Sequence, residues 1–262
     1  METRTEVYLN GVSLSSVHPA IVVQGVKEPP PSWDIQATPR GWKEGQQPGK
    51  TEKKYRDIII TFGVLIHEDL TARANAIQSV RDWAADGGWL GISYRNRQRI
   101  YVRLMAMPEV SIISKWTGTY ELTFRAWEVT EWEYRDADRV RISGASGSGN
   151  LKMKGRGGKL RAEITNSSGS TCNTVSITCG SESIAFSSLG LANGEKLILE
   201  YSEKDRQIIE IENSGGTWRS ALGARTAASS DDIRLSGGLN TISVSAGVSL
   251  AWNLYAYGRV SG

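Results

Sequence analysis

The chain has 262 residues, of which 23% are charged and 39% hydrophobic, and its formal net charge is only +3. No apolar run approaches the ~18 residues of a membrane helix, and the N-terminal METRTEVYLNGVSL lacks the apolar core of a secretory signal. Positions 1–140 carry as many acidic as basic residues, which excludes a basic nucleic-acid-binding domain. We therefore expect a protein that folds in a cytoplasm and binds neither membrane nor a specific nucleic-acid sequence.

Residues for catalysis and metal binding are scarce. Cys172 and Cys179 lie seven apart in what reads as one strand, so they should point to opposite faces and stay reduced. His18 and His67 stand in turn and helix-start contexts that favour structural roles. No zinc, calcium, phosphate-loop or serine-nucleophile pattern is present. The sequence thus predicts no enzyme activity, no metal site and no bound cofactor.

The first elements are two short strands and a long loop. VYLNGVSL reads as a hairpin around Asn10–Gly11, a dipeptide that tolerates positive φ angles. Residues 27–50 hold five of the seven prolines, which favours a loop over a central strand. Loops of that length are uncommon without a function, so we predict a contact arm that carries Trp33 and Trp42.

A buried strand and one helix follow. YRDIIITFGVLI alternates apolar residues as a buried strand does, and the helix is predicted over residues 69–86, with Asp69 as N-cap and Gly87–Gly88 as its stop. Its apolar stripe is Leu70, Ala74, Ile77, Val80 and Ala84.

Beyond the helix the pattern has a period of two residues. WLGISY, RIYVRLMAM, EVSIISKW and TYELTFRAWEV read as successive strands. In ISYRNRQRIYVRL the arginines alternate with apolar residues, as on a half-exposed hairpin. Arginine pairs well with carboxylates across interfaces, so we predict subunit contacts through the following four residues. They are Arg95, Arg97, Arg99 and Arg103.

The composition changes to Gly and Ser around residues 143–159, which predicts a linker between domain 1–138 and domain 139–262. The basic run LKMKGRGGKLR inside it is more typical of a solvated segment than of a phosphate contact. From Leu160 about eight short strands without a helix between them predict an antiparallel sandwich or jelly roll.

The order of these elements resembles the distal tail proteins of siphophages, which have long non-contractile tails. The first half is similar in VYLNGVSL, TPRGWKEG, YRDIIITFGV, SVRDWAADGGWL, YRNRQRIYVRLM and TYELTFRAWEVTEWEY. In the second half, AEITNSSGSTCNTVSITCGS, LANGEKLILEYSEKDRQIIEIENSGG and GGLNTISVSAG resemble a galectin-like sandwich. The segment AWEVTEWEY replaces the Pro-Phe-Trp-like run common in that family.

The resemblance implies a mainly β protein with two domains. The N-terminal one would be a tail-tube-like β-sandwich or barrel with one α-helix, and the C-terminal one a galectin-like antiparallel β-sandwich. Six copies would form a ring at the tail tip of the virion, assembled in the host cytoplasm. The ring would join the tail tube protein to the tail hub and to receptor-binding or side-fibre proteins, with the genome passing through its lumen.

A carbohydrate-binding module is the alternative function. Sugar recognition uses exposed aromatic faces flanked by polar groups, and the C-terminal half offers Trp218 and Arg219 in a polar loop, with Tyr255 and Tyr257 near the end. These four residues are the predicted saccharide or partner contacts. In this alternative the chain is an adhesin for a host cell-surface saccharide.

Overall fold

The computed structural model of the chain describes residues 5–39, 46–66, 69–107, 118–127, 131–202 and 206–260, without the side chains of residues 34–39 and 46–53. Contacts divide it into unit 1, Met1–Trp132 with Gly262, and unit 2, Glu133–Ser261. The sequence places this division after residue 138. Trp42, His67 and the predicted strand EVSIISKW lie outside the described residues.

Unit 1 is a β-sheet covered by a helix. Its elements are β1 (Val7–Leu9), β2 (Val12–Ser13), α1 (Leu14–Val17), β3 (Ile21–Lys27), β4 (Ser32–Pro39), β5 (Gln46–Val64), α2 (Leu70–Ala84), β6 (Gly88–Ile92), β7 (Gln98–Ala106), β8 (Gly118–Ala126) and the start of β9 (Trp132–Tyr134). The strand order is β2-β1-β6-β7-β8-β5-β3, and β4 pairs with β5. The neighbouring strands within this order are antiparallel. The chain is mainly β, as predicted.

The hairpin predicted at the N-terminus is confirmed. β1 and β2 pair across Asn10 and Gly11, whose φ angles are 52° and 86°. Both values lie in the left-handed region that this tight turn requires. The Asn10 side chain also accepts a hydrogen bond from the backbone N–H of Trp89 at 2.9 Å and donates one to the Gly87 carbonyl at 3.1 Å. The same residue therefore fixes the start of β6.

The helix begins as predicted but buries a different stripe. Asp69 caps α2 by accepting a hydrogen bond from the Ala72 N–H at 2.9 Å. The buried residues are Arg73, Ala76, Ile77, Val80 and Ala84. Leu70 and Ala74 are exposed instead. Arg73 enters the stripe because its guanidinium reaches the Ile66 carbonyl at 2.8 Å, which lets its aliphatic stem pack inward.

The predicted loop over residues 27–50 is wrong in its secondary structure. β4 pairs with the first half of β5 from Ser32–Tyr55 to Pro39–Gln46. Residues 56–64 of β5 pair with β8, whereas among the described strands residues 46–55 pair with β4. The result is a two-stranded ribbon about 26 Å long, at ~3.3 Å per residue. Its prolines are tolerated because a ribbon has two outer edges without ladder bonds.

Unit 2 is a sandwich around a separate core. Its elements are β10 (Asp138–Lys159), β11 (Arg161–Asn166), β12 (Val175–Cys179), β13 (Glu182–Phe186), β14 (Lys196–Tyr201), β15 (Gln207–Glu212), β16 (Trp218–Ser220), a 3-10 turn (Leu222–Ala224), β17 (Arg234–Ala256) and β18 (Arg259–Val260). The order is β13-β12-β17-β11-β14-β15-β16, and β10 also pairs with β17.

One strand, β17, belongs to both layers of this sandwich. Its residues 242–246 pair with β12 and its residues 250–255 pair with β11. Both layers enclose the same apolar cluster, which includes Ile142, Ile164, Ile177 and Trp252. The antiparallel sandwich predicted for the C-terminal half is therefore confirmed.

The segment predicted as a linker is a strand. Residues 143–159 lie within β10, which pairs with β17 along most of its length. Its glycines permit close backbone packing: a Cβ on Gly157 would overlap the Leu235 carbonyl oxygen, and one on Gly158 the Tyr257 carbonyl oxygen. Glycine enrichment here reflects crowding of strands rather than flexibility.

The two cysteines are free but do not share a strand. Cys172 is buried and forms an isolated bridge with Leu191, whereas Cys179 ends β12. None of the described helices is long and apolar enough to cross a membrane. The described residues also contain no group of three or more His, Cys, Asp or Glu side chains that could hold a metal ion.

Replacing Gly157 by alanine is expected to destabilise unit 2. The residue has a φ of 92°, and an added methyl group would overlap a carbonyl oxygen. Backbone strain of this kind costs about 1–3 kcal/mol, so the calorimetric unfolding midpoint should fall by several degrees. Gly223→Ala is the matched control, because nothing lies within 4 Å of its Cβ position. Equal midpoints for both variants would contradict the crowding argument.

Candidate partner-binding surface of unit 1

The four predicted arginines have different environments. Arg95 lies in the middle of the turn between β6 and β7 and is bound within its own chain, whereas Arg97, in the same turn, is exposed and has a φ of 63°. Arg99 and Arg103 lie on β7, on the face opposite Ile100 and Val102, which are buried in the core. The arginines therefore do not form one site.

Arg95 belongs to a network around the Glu28 carboxylate. That carboxylate accepts hydrogen bonds from Arg95 Nε at 2.9 Å, from the Tyr94 hydroxyl at 2.7 Å and from Trp132 Nε1 at 3.0 Å. The Arg95 guanidinium also stacks over the Trp132 ring at 4.6 Å. Burial alone raises the pKa of Glu28, but the donors from Arg95 and Tyr94 lower it overall. Arg95 is thus a structural residue, and its head group is occupied.

The sheet face that carries Arg99 and Arg103 also has a row of aromatic rings. Trp89 and Tyr101 are register partners on β6 and β7, with ring centroids 5.5 Å apart. Tyr55 and Trp127 contact each other at 5.6 Å, next to the Arg56–Ala126 pair of β5 and β8. Trp127 remains 44% exposed. Aromatic residues with this degree of exposure are enriched at protein interfaces.

Arginines cover this aromatic row. The Arg99 guanidinium lies 4.1 Å from the Trp89 ring centroid, and that of Arg125 lies 3.8 Å from Tyr55 and 5.0 Å from Trp127. Cation–π contacts of this kind hold the guanidiniums against the rings. We call this surface the arginine–aromatic face, and its members are Tyr55, Asp57, Trp89, Arg99, Tyr101, Arg103, Arg125 and Trp127.

The face has more positive than negative charge. Arg125 pairs in a bidentate manner with Asp57, at 2.5 Å and 2.8 Å. This hydrogen bonding raises the pKa of Arg125 above its ordinary value. Arg103 is the register partner of Arg125 and is exposed. One carboxylate therefore neutralises only one of two facing guanidiniums.

Sequence reasoning found part of this face. Arg99 and Arg103 were predicted from their alternation with core residues, whereas Tyr55, Trp89, Arg125 and Trp127 were missed. The same two-residue period in TFRAWEV assigns Arg125 and Trp127 to one side. The contact of Arg125 with Asp57 and Tyr55 could not be read from the sequence, because it depends on the register between β5 and β8. Trp33, on the ribbon, is 51% exposed.

The residues predicted to bind saccharide are not brought together in unit 2. Trp218 and Arg219 lie on β16, which is separated from Tyr255 on β17 by strands β11, β14 and β15. Tyr255 is buried, and its hydroxyl donates to Glu200 at 2.7 Å. Burial and that hydrogen bond raise its pKa. Tyr257 stacks against Tyr255 at 6.2 Å, so both tyrosines are parts of a packed cluster.

Trp218 and Arg219 are more accessible. Trp218 is 49% exposed on an edge strand, and Arg219 donates to the Gly190 carbonyl at 2.8 Å and to Glu195 at 2.7 Å. A separate shallow depression of about 240 Å³ is lined by Arg141, Ser143, Glu163, Thr165, Ala251 and Asn253, with Ile142 and Trp252 below. Exposed aromatic rings are absent from its lining.

Three basic residues of the run LKMKGRGGKLR are paired within unit 2. Lys154 contacts Asp138 at 3.4 Å and Lys159 contacts Asp232 at 3.0 Å. Arg161 forms an ion pair with Glu200. These three cations therefore already have carboxylate partners. His18 is likewise structural, since its Nδ1 accepts a hydrogen bond from the Ala20 N–H at 3.2 Å.

The whole chain is similar to a solved phage protein. The crystal structure of SPP1 Dit (gp 19.1), described as a paradigm of the hub adsorption apparatus in phages that infect Gram-positive hosts, superposes with a TM-score of 0.70 and 13% identity. The match covers 97% of this chain and 99% of that one. The chain has the SPP1 Dit fold.

Chains of a second phage assembly are also similar. The phage P2 baseplate in its activated conformation matches with a TM-score of 0.55 in its calcium form and 0.52 in its strontium form, each at 7% identity. These matches cover 100% and 96% of this chain, and 99% and 97% of the others. No family model and no curated protein matches the sequence.

Replacing Glu28 by glutamine tests the Glu28 network. At pH 7 the free energy of unfolding should fall by about 1.5–3 kcal/mol, the range for hydrogen bonds to a charged group. The pKa of Glu28 is lowered in the folded state, so its stabilisation is present above the ordinary value of 4.5 and is lost as pH falls through the folded pKa. The difference between wild type and variant should therefore close in acid, as measured by denaturant unfolding across pH.

Glu121→Gln is the matched control for this experiment. Glu121 pairs with Lys27 at 3.4 Å, but 53% and 69% of the two side chains are exposed. Exposed pairs contribute roughly 0–1 kcal/mol, so this variant should unfold almost like wild type at every pH. A Glu28→Gln variant as stable as Glu121→Gln would show that the network does not stabilise unit 1.

Proposed function

We propose that the chain is a structural distal tail protein of a siphophage-type particle, and that six copies form a ring at the tail tip. The observation that carries this proposal is the match to SPP1 Dit over nearly the full length of both chains. A match that spans both units is a stricter criterion than a match to a single domain. Function on a common fold must still be argued from its surfaces.

Two surfaces of unit 1 support assembly. The ribbon formed by β4 and residues 46–55 of β5 pairs with itself, and isolated two-stranded ribbons are marginally stable in water. Packing against another chain would stabilise it. The arginine–aromatic face offers exposed Trp127 and Arg103, residue types that are enriched at interfaces.

The remaining roles follow from a ring at this location. Unit 1 would contact the tail tube protein and the hub, and unit 2 would hold receptor-binding or side-fibre proteins. The genome would cross the ring lumen without sequence-specific contacts. The protein would be made in the host cytoplasm and located in the virion tail tip. Its role is assembly rather than catalysis.

Saccharide binding is the second candidate, and one observation favours it. Trp218 presents a half-exposed ring on the edge strand β16, and the next residue, Arg219, is held by Glu195. Tyr255 and Tyr257 do not contribute, because they are packed together and Tyr255 is bound to Glu200. A host-glycan array would detect such binding, and Trp218→Ala should abolish it. A ring that shows no saturable glycan binding would support the structural role alone.

The ring proposal predicts a defined oligomer that depends on the ribbon. Replacing residues 34–52 by a two-residue Asn-Gly turn should leave the sheet of unit 1 folded, because β8 and β3 pair with β5 at residues 56–64 and 59–64. The same change should lower the ring population at least tenfold in native mass spectrometry. Negative-stain images of wild type should show closed rings with a central opening.

Two measurements make this experiment decisive. Calorimetry of the shortened variant checks that unit 1 still unfolds cooperatively. A wild-type chain that remains monomeric at all concentrations would contradict the ring, and undiminished rings in the shortened variant would remove the ribbon from the interface.

A further inference from the structure

We infer that the subunit contact within the proposed ring is heterologous: the arginine–aromatic face of one copy docks on the outer side of helix α2 in the next copy. This inference rests on the proposed ring and identifies its interface. The occupant of the face is thus a second copy of this chain. The two surfaces are opposite in charge, lie on opposite sides of one sheet, and each has charged residues in locally unfavourable positions.

The face lacks a carboxylate that a partner could supply. Arg103 and Arg125 are register partners, and like charges directly opposite each other destabilise a sheet. Asp57 satisfies Arg125 at 2.5 Å and 2.8 Å. Arg103 is exposed and makes no hydrogen bond or ion pair within the described part of the chain. An aspartate from another chain would complete this group of charges.

Helix α2 presents such aspartates on its outer side. Asp82 and Asp86 are exposed there, Asp69 is exposed at the N-cap, and Arg81 is half-buried. Small or short side chains surround them, and those that are exposed are Thr71, Ala74, Asn75, Gln78 and Ala85. A helix side of this kind is flat enough to approach a sheet closely. It is also opposite in charge to the arginine–aromatic face.

Two of these aspartates stand where a helix disfavours them. Asp82 lies in the last turn of α2 and Asp86 follows its C-cap residue, Ala85. The partial negative charge at the C-terminus of a helix repels acidic side chains and attracts cations. Within the chain Asp82 accepts a hydrogen bond from Gln78 at 2.7 Å, which leaves its charge uncompensated. A guanidinium from a neighbouring copy would reverse this local repulsion.

The two surfaces lie on opposite sides of one sheet. Helix α2 packs on the core side, where Trp83 contacts Phe124 at 6.2 Å. The arginine–aromatic face is formed by the alternate residues of the same strands, such as Arg125 next to Phe124. Packing face on face would bring arginines together, and packing helix on helix would bring aspartates together. Of the three arrangements, only docking of the face on the helix pairs opposite charges. Such head-to-tail contacts generate a ring when the rotation from each copy to the next closes.

Charge-reversal variants test the inference. Arg103→Asp and Asp82→Arg should each lower the ring population at least tenfold in native mass spectrometry of the full chain. Combining both changes in one chain should restore at least half of the rings, because the opposite charges then face each other in reverse. Arg141→Asp, an exposed arginine of unit 2, is the control and should assemble like wild type.

Mixing the two single variants distinguishes head-to-tail from two-fold contacts. The Asp82→Arg chain keeps an intact face and the Arg103→Asp chain keeps an intact helix. Each contact between unlike variants pairs opposite charges, whereas each contact between copies of one variant pairs like charges. An equimolar mixture should therefore form rings in which the two variants alternate. Rings of either variant alone, a closed dimer, or no mixed assembly would overturn the inference. The two chains are separable by mass if one carries an affinity tag.

Separate measurements report on folding and on the existence of the proposed ring. Asp82→Asn and Asp86→Asn should leave the thermal midpoint unchanged or raise it slightly, while weakening assembly at least threefold. Wild-type rings that tolerate every one of these substitutions would overturn this interface and leave the ring proposal standing. A wild type that never oligomerises would instead overturn the ring proposal itself.

Discussion

Each unit depends on one long strand that pairs with different strands along its length. In unit 1 this strand is β5, with 19 residues, and in unit 2 it is β17, with 23. A strand of this length exceeds the usual 3–10 residues and must find different partners along its course. β5 therefore pairs with β8 and β3 at one end and with β4 at the other. β17 pairs with β12 at residues 242–246 and with β11 at residues 250–255, while β10 pairs with it along most of its length. The ribbon and the shared core both follow from these long strands.

Several ionic groups of the described chain are paired within this architecture. Arg95, Lys159 and Arg161 contact carboxylates of their own unit. These contacts join segments that are distant in sequence, as Glu28 does with Tyr94 and Trp132. Arg103 on one side and Asp82 on the other have no partner of opposite charge within the described chain, and they distinguish the two sides of unit 1.

Sequence patterns correctly predicted the features that depend on residues close together in the chain. The turn at Asn10–Gly11, the cap at Asp69 and the two-residue period of β7 were all predictable, because each depends on neighbours in sequence. The ribbon was not, since Pro and Gly in residues 27–50 lower strand propensity without excluding a ribbon that has two outer edges. The glycines of β10 likewise led to the incorrect prediction of a linker. Glycines indicate flexibility only where no other backbone lies close, whereas Leu235 lies close to Gly157 and Tyr257 lies close to Gly158.

The candidate site was predicted in part for the same reason. Alternation assigned Arg99 and Arg103 to the outer face, but it could not show that Arg95 turns inward to Glu28 or that Tyr55 and Trp127 meet. Those contacts depend on register between strands that are distant in sequence. The two tyrosines predicted to bind saccharide show the same limit. Their exposure depends on residues that are distant in sequence. The Tyr255 hydroxyl donates to Glu200, and Tyr257 packs against the Tyr255 ring.

The distribution of aromatic rings also separates a scaffold from a lectin. A lectin needs a ring that remains open beside polar groups in a concave site, whereas the depression of unit 2 is lined by Arg141, Glu163 and Asn253 without such a ring. The rings of unit 1 instead lie side by side along neighbouring strands, with guanidiniums against them. An open, cationic sheet face without a concave site suits the broad surface of another folded chain better than a small ligand. The physical character of the surfaces therefore favours protein assembly.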